Sequence, residues 1–157
     1  MRLYFFRHGP AMSRDEWDGP DDRRPLTADG IEATRRMSRR IADMGLAPDA
    51  ILASPYARAW STGEILVDTL GTPDLLHEES GLEPGRFTPV ALEEMLEPHP
   101  DAAHLVLIGH EPSMTAVISG LIGGGELALK KAGLARVDLY PGSVHGVLRW
   151  LIQPKMR

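Results

Sequence analysis

Two short runs of this chain are almost continuously apolar, Leu3 to Phe6 and His104 to Ile108. Such runs fit strands covered on both faces, as in a parallel sheet between helices. Asp49 to Ala53 reads as a further strand of this kind. Between these runs the period changes from two to about 3.6. Ile31, Thr34, Met37, Ile41 and Met44 recur at helical spacing, with Thr27 as cap, Asp29 in the first turn and Gly45 as the stop. Arg35, Arg36, Arg39 and Arg40 fall off that stripe and read as a solvated face. A second helix follows Ser54-Pro55, with Ser54 as cap and Pro55 at the first position, and runs to about Leu70. Thr72 to Leu76 reads as a short edge strand. Thr88 to Leu96 reads as a helix that can bury Val90, Leu92, Met95 and Leu96, and another helix spans about Ser113 to Ile122. Leu134 to Tyr140 and Val144 to Ile152 alternate around Pro141-Gly142, the pattern of an antiparallel hairpin. Strands alternating with helices predict an α/β fold. The expected form is a three-layer α/β/α sandwich, with a mainly parallel central sheet and an antiparallel edge hairpin.

Polar residues collect where the buried runs end. Leu3 to Phe6 runs into Arg7-His8-Gly9, and His104 to Ile108 runs into Gly109-His110-Glu111-Pro112. Ligands of open α/β sheets bind beyond the carboxyl ends of the strands. Arg7 offers a fork that matches phosphate oxygens two at a time, and Gly9 lets backbone approach a ligand closely. A neutral imidazole held through its other nitrogen is a competent nucleophile, which nominates His8. Arg58 falls in the first turn of the second helix, beside a strand end, where helix N–H groups also face an anion. Pro10 to about Arg24 is an aperiodic polar loop that leaves the chain next to His8, so it rims the site. Within it Arg24 is a candidate anion contact, whereas Arg14 and Arg23 read as solvated.

Composition narrows the classes. A chain of 157 residues fits one domain over positions 1–157. The net charge of −5 leaves no electrostatic footprint for nucleic acid. Cysteine is absent, which excludes disulfides and thiolate chemistry. No apolar run reaches a membrane span and no signal peptide is visible, so a cytoplasmic protein without membrane partners is expected. The six histidines show no metal-ligand spacing, and Arg7 beside His8 would oppose a cation. His77, His99 and His145 read as surface residues. No metal and no cofactor are expected.

These motifs together resemble the histidine phosphatase superfamily, also called phosphoglycerate mutase-like, and within it the small SixA-type phosphohistidine phosphatases. The resemblance rests on Arg7-His8-Gly9, Arg24-Pro25-Leu26-Thr27 with Gly30, Ser54-Pro55 with Arg58-Ala59 and Thr62, and Gly109-His110-Glu111-Pro112. It implies that His8 takes the phosphoryl group and that Arg7, Arg58 and His110 bind its oxygens, water then hydrolysing the phosphohistidine. Relatives acting on sugar phosphates usually carry an acidic residue as proton donor. Here Glu83 stands one place off that spacing, with Pro84 in the expected slot. A weak or missing acid suits a phosphoramidate, whose N–P bond breaks easily once the leaving imidazole is protonated. Arg58 and His110 stand only 52 positions apart, which leaves no room for the lid domain of the larger mutases. The implied substrate is phosphohistidine on a protein. A small phosphomonoester, or phosphate binding without turnover, are the alternatives.

Overall fold

A computed structural model describes residues 1–154. In chain order its elements are β1 (Arg2–Arg7), α1 (Ala28–Asp43), β2 (Ala50–Ala53), α2 (Ala57–Leu70), β3 (Leu76–Glu78), α3 (Pro89–Leu96), β4 (His104–Gly109), α4 (Ser113–Leu121), β5 (Leu134–Leu139) and β6 (Gly146–Ile152). They build one six-stranded sheet in the order β3-β2-β4-β1-β5-β6. The first four neighbours run parallel, while β5 pairs antiparallel with β1 and β6 with β5. The architecture is the mainly parallel α/β fold with an antiparallel edge that the patterning predicts.

The alternation of side chains along each strand divides the core in two. Leu3, Phe5, Leu52, Leu105 and Leu107 face α3 and α4, meeting Leu92, Met95, Met114, Val117 and Ile118. Tyr4, Phe6, Ile51, Val106 and Ile108 face α1 and α2, meeting Met37, Ile41, Leu66 and Val67. Leu3, Phe5 and Phe6 are fully buried, which is why β1 reads as an unbroken apolar run. Each such side chain contributes about 1.5–3 kcal/mol of transfer free energy.

Several boundaries differ from the sequence reading. The edge strand is Leu76–Glu78, not Thr72 to Leu76, because Pro73 opens a 3-10 turn over Pro73–Leu75 and has no N–H for a ladder. Helix α2 starts at Ala57 rather than Pro55. Ser54 Oγ accepts the Tyr56 N–H at 3.2 Å, and Tyr56 stays extended as the residue before the helix. On α1 the buried face is Gly30, Ala33, Thr34, Met37, Ser38 and Ile41, while Ile31 only flanks it and Met44 is 43% exposed. Val90 is exposed, so α3 buries Leu92 and Met95. His99 is half-buried, and the Nδ1 of His104 lies 2.9 Å from the Tyr4 hydroxyl. The expected cap is present: Thr27 Oγ1 accepts the Gly30 N–H at 2.9 Å, and Gly45 follows α1 at φ +72°.

The loop beyond β1 is tied down at both ends. Ala11 bridges Leu26, and Thr27 N–H donates to the Pro10 carbonyl at 3.1 Å. That carbonyl passes so close to Gly30 that a Cβ there would stand 1.8 Å from its oxygen. Backbone cannot give way as a flexible side chain does. Gly30→Ala should therefore lower the unfolding free energy by about 1–3 kcal/mol, read from urea denaturation. An unchanged midpoint would mean that the Pro10 turn adapts freely.

Candidate active site

Strands β1 and β4 are parallel neighbours with Arg7 opposite Gly109. The next residue of each strand is a histidine, and the His8 N–H extends the ladder to the Gly109 carbonyl at 3.1 Å. The two rings therefore emerge side by side, with centroids 5.1 Å apart. Both are buried, His8 at 6% and His110 at 3% exposure.

The bonds of His8 fix its tautomer. Nδ1 lies 2.7 Å from the Gly9 carbonyl oxygen. A carbonyl only accepts, so Nδ1 carries the proton and Nε2 keeps its lone pair. Burial pushes the His8 pKa down to about 3, with Arg58 and Arg7 adding to the effect against the Gly9 carbonyl. The ring is neutral at pH 7. Gly9 is itself anchored, since its N–H donates to Thr62 Oγ1 at 3.1 Å and the Thr62 hydroxyl donates to the Arg58 carbonyl at 2.8 Å. A Cβ at position 9 would lie 2.2 Å from Thr34 Oγ1, so only glycine fits without displacing α1.

His110 Nε2 lies 2.9 Å from Ser54 Oγ. Ser54 already accepts the Tyr56 N–H, so its own proton is free for Nε2. The matching tautomer puts the His110 proton on Nδ1, which is buried and has no partner among the described residues. Burial is also the main cause that lowers the His110 pKa to about 3, with His8 and Arg58 next.

Two guanidinium groups close on this pair. Arg7 donates through one terminal nitrogen to the Leu129 carbonyl at 2.8 Å. Arg58, 3% exposed, donates to the Asp21 carbonyl at 2.9 Å and to the Asp21 carboxylate at 3.2 Å. It lies 5.2 Å from the centre of the Tyr56 ring, which in turn meets the His110 ring edge-on at 5.4 Å. Burial lowers the pKa of both arginines, yet a guanidinium keeps its proton in any protein setting. The Nε atoms of Arg7 and Arg58 are buried without a partner, as is His110 Nδ1. Three unpartnered donors at one strand end are costly unless an anion meets them.

The remaining candidates sit further out. Arg24 gives its Nε to Asp21 at 3.0 Å and a terminal nitrogen to the Met12 carbonyl at 2.6 Å, so these donors serve the loop itself. Glu83 lines an open cavity of about 380 Å³ with Asp21, Asp22, Pro55 and Tyr56. Its carboxylate stands 3.7 Å from Arg86. Arg14 and Arg23 are exposed. A larger hollow of about 810 Å³ on the α1–α2 face, lined by Arg35, Trp60 and Asp68, holds none of these groups. Among the described residues no group of three or more His, Asp or Glu side chains could hold a metal ion, and no helix is long and apolar enough to cross a membrane. The sequence reading missed Asp21, Tyr56 and the link from Ser54 to His110. Only the capping type of Ser54 hinted at any of them.

Residues 3–83 match the family model described as histidine phosphatase superfamily (branch 1). The chain belongs to the histidine phosphatase superfamily. It is 41% identical over 143 residues to an uncharacterised protein of Picosynechococcus sp. (strain ATCC 27264 / PCC 7002 / PR-6), covering 85% of this chain and 82% of that one. It is 26% identical over 156 residues to the phosphohistidine phosphatase SixA of Escherichia coli (strain K12), covering 98% and 94%. A solved structure of the protein histidine phosphatase SixA complexed with tungstate superposes with a TM-score of 0.88 at 24% identity, over 98% of this chain and 97% of that one. This last likeness is one of fold.

The low pKa values of the paired histidines have a measurable consequence. Each ring binds its proton more weakly folded than unfolded, where 6.5 is ordinary. Stability is therefore fully present above about 6.5 and drains away as pH falls towards about 3. In ring 15N spectra of the ligand-free protein, His8 and His110 should stay neutral from pH 8 to 5. A midpoint near 6.5 for His8 would contradict the buried, neutral site.

Proposed function

We propose that this superfamily member is a metal-independent phosphatase that hydrolyses phosphohistidine on a protein through a covalent intermediate on His8. The supporting observation is the pair of neutral, buried histidines, one with a free Nε2, beside two arginines and three unpartnered donors. The Nε2 lone pair of His8 attacks phosphorus. The N–P bond of the substrate breaks, and its imidazole, protonated on the other nitrogen beforehand, leaves neutral. Arg7, Arg58 and His110 hold the phosphoryl oxygens while charge spreads over them. Water then attacks the phosphorus, the His8–phosphorus bond breaks, and inorganic phosphate departs with His8 restored. The Gly9 carbonyl keeps the His8 proton on Nδ1 throughout, so the cation formed on phosphorylation is also stabilised there.

The choice of substrate turns on the leaving group. An alkoxide needs a proton donor, whereas a protonated imidazole leaves without one. Glu83 is engaged by Arg86 at the rim rather than by either histidine. That arrangement supports a phosphoramidate. A small phosphomonoester is the second reading, favoured by the position of Glu83 on the same cavity wall as Tyr56. Phosphate release from a phosphohistidine-bearing protein, a panel of sugar phosphates and phosphoserine peptides separates the two. We expect preference for phosphohistidine, loss of turnover by roughly a thousandfold or more in His8→Ala, and a change within about threefold in Glu83→Gln. Preference for a sugar phosphate, with a roughly hundredfold loss in Glu83→Gln, would give the ester reading.

A further inference from the structure

The segment Leu129 to Gly133 has no periodic pattern, yet it is fastened to the end of β1. The Leu129 carbonyl accepts from the Arg7 side chain at 2.8 Å, and the Gly133 carbonyl accepts the Arg7 N–H at 3.1 Å. The Ala132 N–H donates to the carbonyls of Arg7 at 3.2 Å and His8 at 3.0 Å. To do so Ala132 adopts φ +60°, a left-handed conformation that costs energy for a residue with a Cβ and that clusters near functional sites. Gln153 braces the same turn, accepting the Lys130 N–H and donating to the Ala128 carbonyl, both at 2.9 Å.

This turn carries two exposed lysines between buried neighbours. Leu129 and Ala132 are 3% and 0% exposed, while Lys130 and Lys131 point to solvent. The lysines share a groove of about 420 Å³ with Pro10 and, across it, Arg36 on α1. Asp29 and Glu32 also line the groove, but Arg35 neutralises Glu32 at 2.7 Å. Among the described residues Lys130, Lys131 and Arg36 have no carboxylate within ion-pair distance. Pro10 follows directly on Gly9, so this cationic lip borders the residues that carry His8. The cavity wall beyond Tyr56 is instead acidic, with Asp21, Asp22 and Glu83.

Resting on the phosphoprotein reading, we propose that Lys130, Lys131 and Arg36 form the docking lip for an acidic surface beside the phosphohistidine of the partner protein. The chain carries a net charge of −5, so the chain as a whole repels an acidic partner while the cations of this lip attract it locally. The lip thereby fixes which way the partner lies over the crevice. Lys131 adds to the positive field at His8, whereas Lys130 and Arg36 are not among the charges that act on that ring, so a small phosphate at His8 gains little from those two.

The test uses an acidic four-helix phosphotransfer domain, phosphorylated on histidine with phosphoramidate, and free phosphoramidate as the small comparator. The Lys130→Glu variant, which leaves the charge of Lys131 near His8 in place, should lose about tenfold or more in kcat/KM on the domain, through KM, with a shallower salt dependence. Hydrolysis of phosphoramidate should stay within about twofold of the parent. Arg36→Glu, on a different element, should show the same split and guards against a local folding fault in the turn. Equal losses on both probes, or unchanged kcat/KM on the domain, would overturn the docking lip. Parent protein that cleaves phosphoramidate but leaves the domain phosphorylated would overturn the phosphoprotein reading, and the lip with it.

Discussion

The parallel pairing of β1 with β4 is the constraint on which the site depends. Its register sets Arg7 opposite Gly109 and delivers His8 and His110 one step later at the same end of the sheet. A slip of one residue would turn Tyr4 and Phe6 into the space of Leu3 and Phe5, and would exchange the two halves of the core. Full burial of Leu3, Phe5, Phe6, Leu105, Leu107 and Ile108 penalises that slip on both faces. The hydrophobic core thus fixes the register that brings the two histidines together.

Around that pair, desolvation sets the charge states. Both imidazoles and Arg58 are buried, and Arg7 beside them is half-buried. Burial first, and then the fixed charges of the arginines, keep the imidazoles neutral. Asp21 offsets part of the Arg58 charge and takes both of its terminal nitrogens, one on its carbonyl and one on its carboxylate, while the Leu129 carbonyl takes one terminal nitrogen of Arg7. Among the described residues the buried Nε of each arginine and the buried Nδ1 of His110 have no partner. The polar network is therefore asymmetric: some donors hold the side chains in place, while three buried ones lack an acceptor. A site organised for a phosphoryl group would have that asymmetry, because the dianion supplies the missing acceptors only while bound.

Much of this was legible in the sequence, for identifiable reasons. Strands buried on both faces leave unbroken apolar runs, so β1, β2 and β4 could be read directly, and their polar ends named His8, Arg7 and His110. Arg58 was legible through its place in the first turn of α2. The edge was less so. Pro73 diverts the chain into a 3-10 turn, and the strand that follows pairs through Leu76, His77 and Glu78, of which the latter two face solvent and leave no apolar signature. The links from Ser54 to His110 and from Asp21 to Arg58 leave no local pattern, because the partners lie 56 and 37 positions apart. The turn at Leu129 to Gly133 escaped for the same reason: its order comes from backbone bonds to Arg7 and His8, which no local composition announces. Arg24 was legible as a cation of the loop, but not that its Nε and one terminal nitrogen close that loop.

The central claim is that phosphate passes through His8, and rapid quenching of a reaction with 32P-labelled phosphohistidine protein tests it most directly. The account predicts label on the enzyme within the first turnover, stable in alkali, lost in acid, and mapped to the peptide that contains His8. Turnover with no labelled enzyme at any time, or label that persists in His8→Ala, would contradict it.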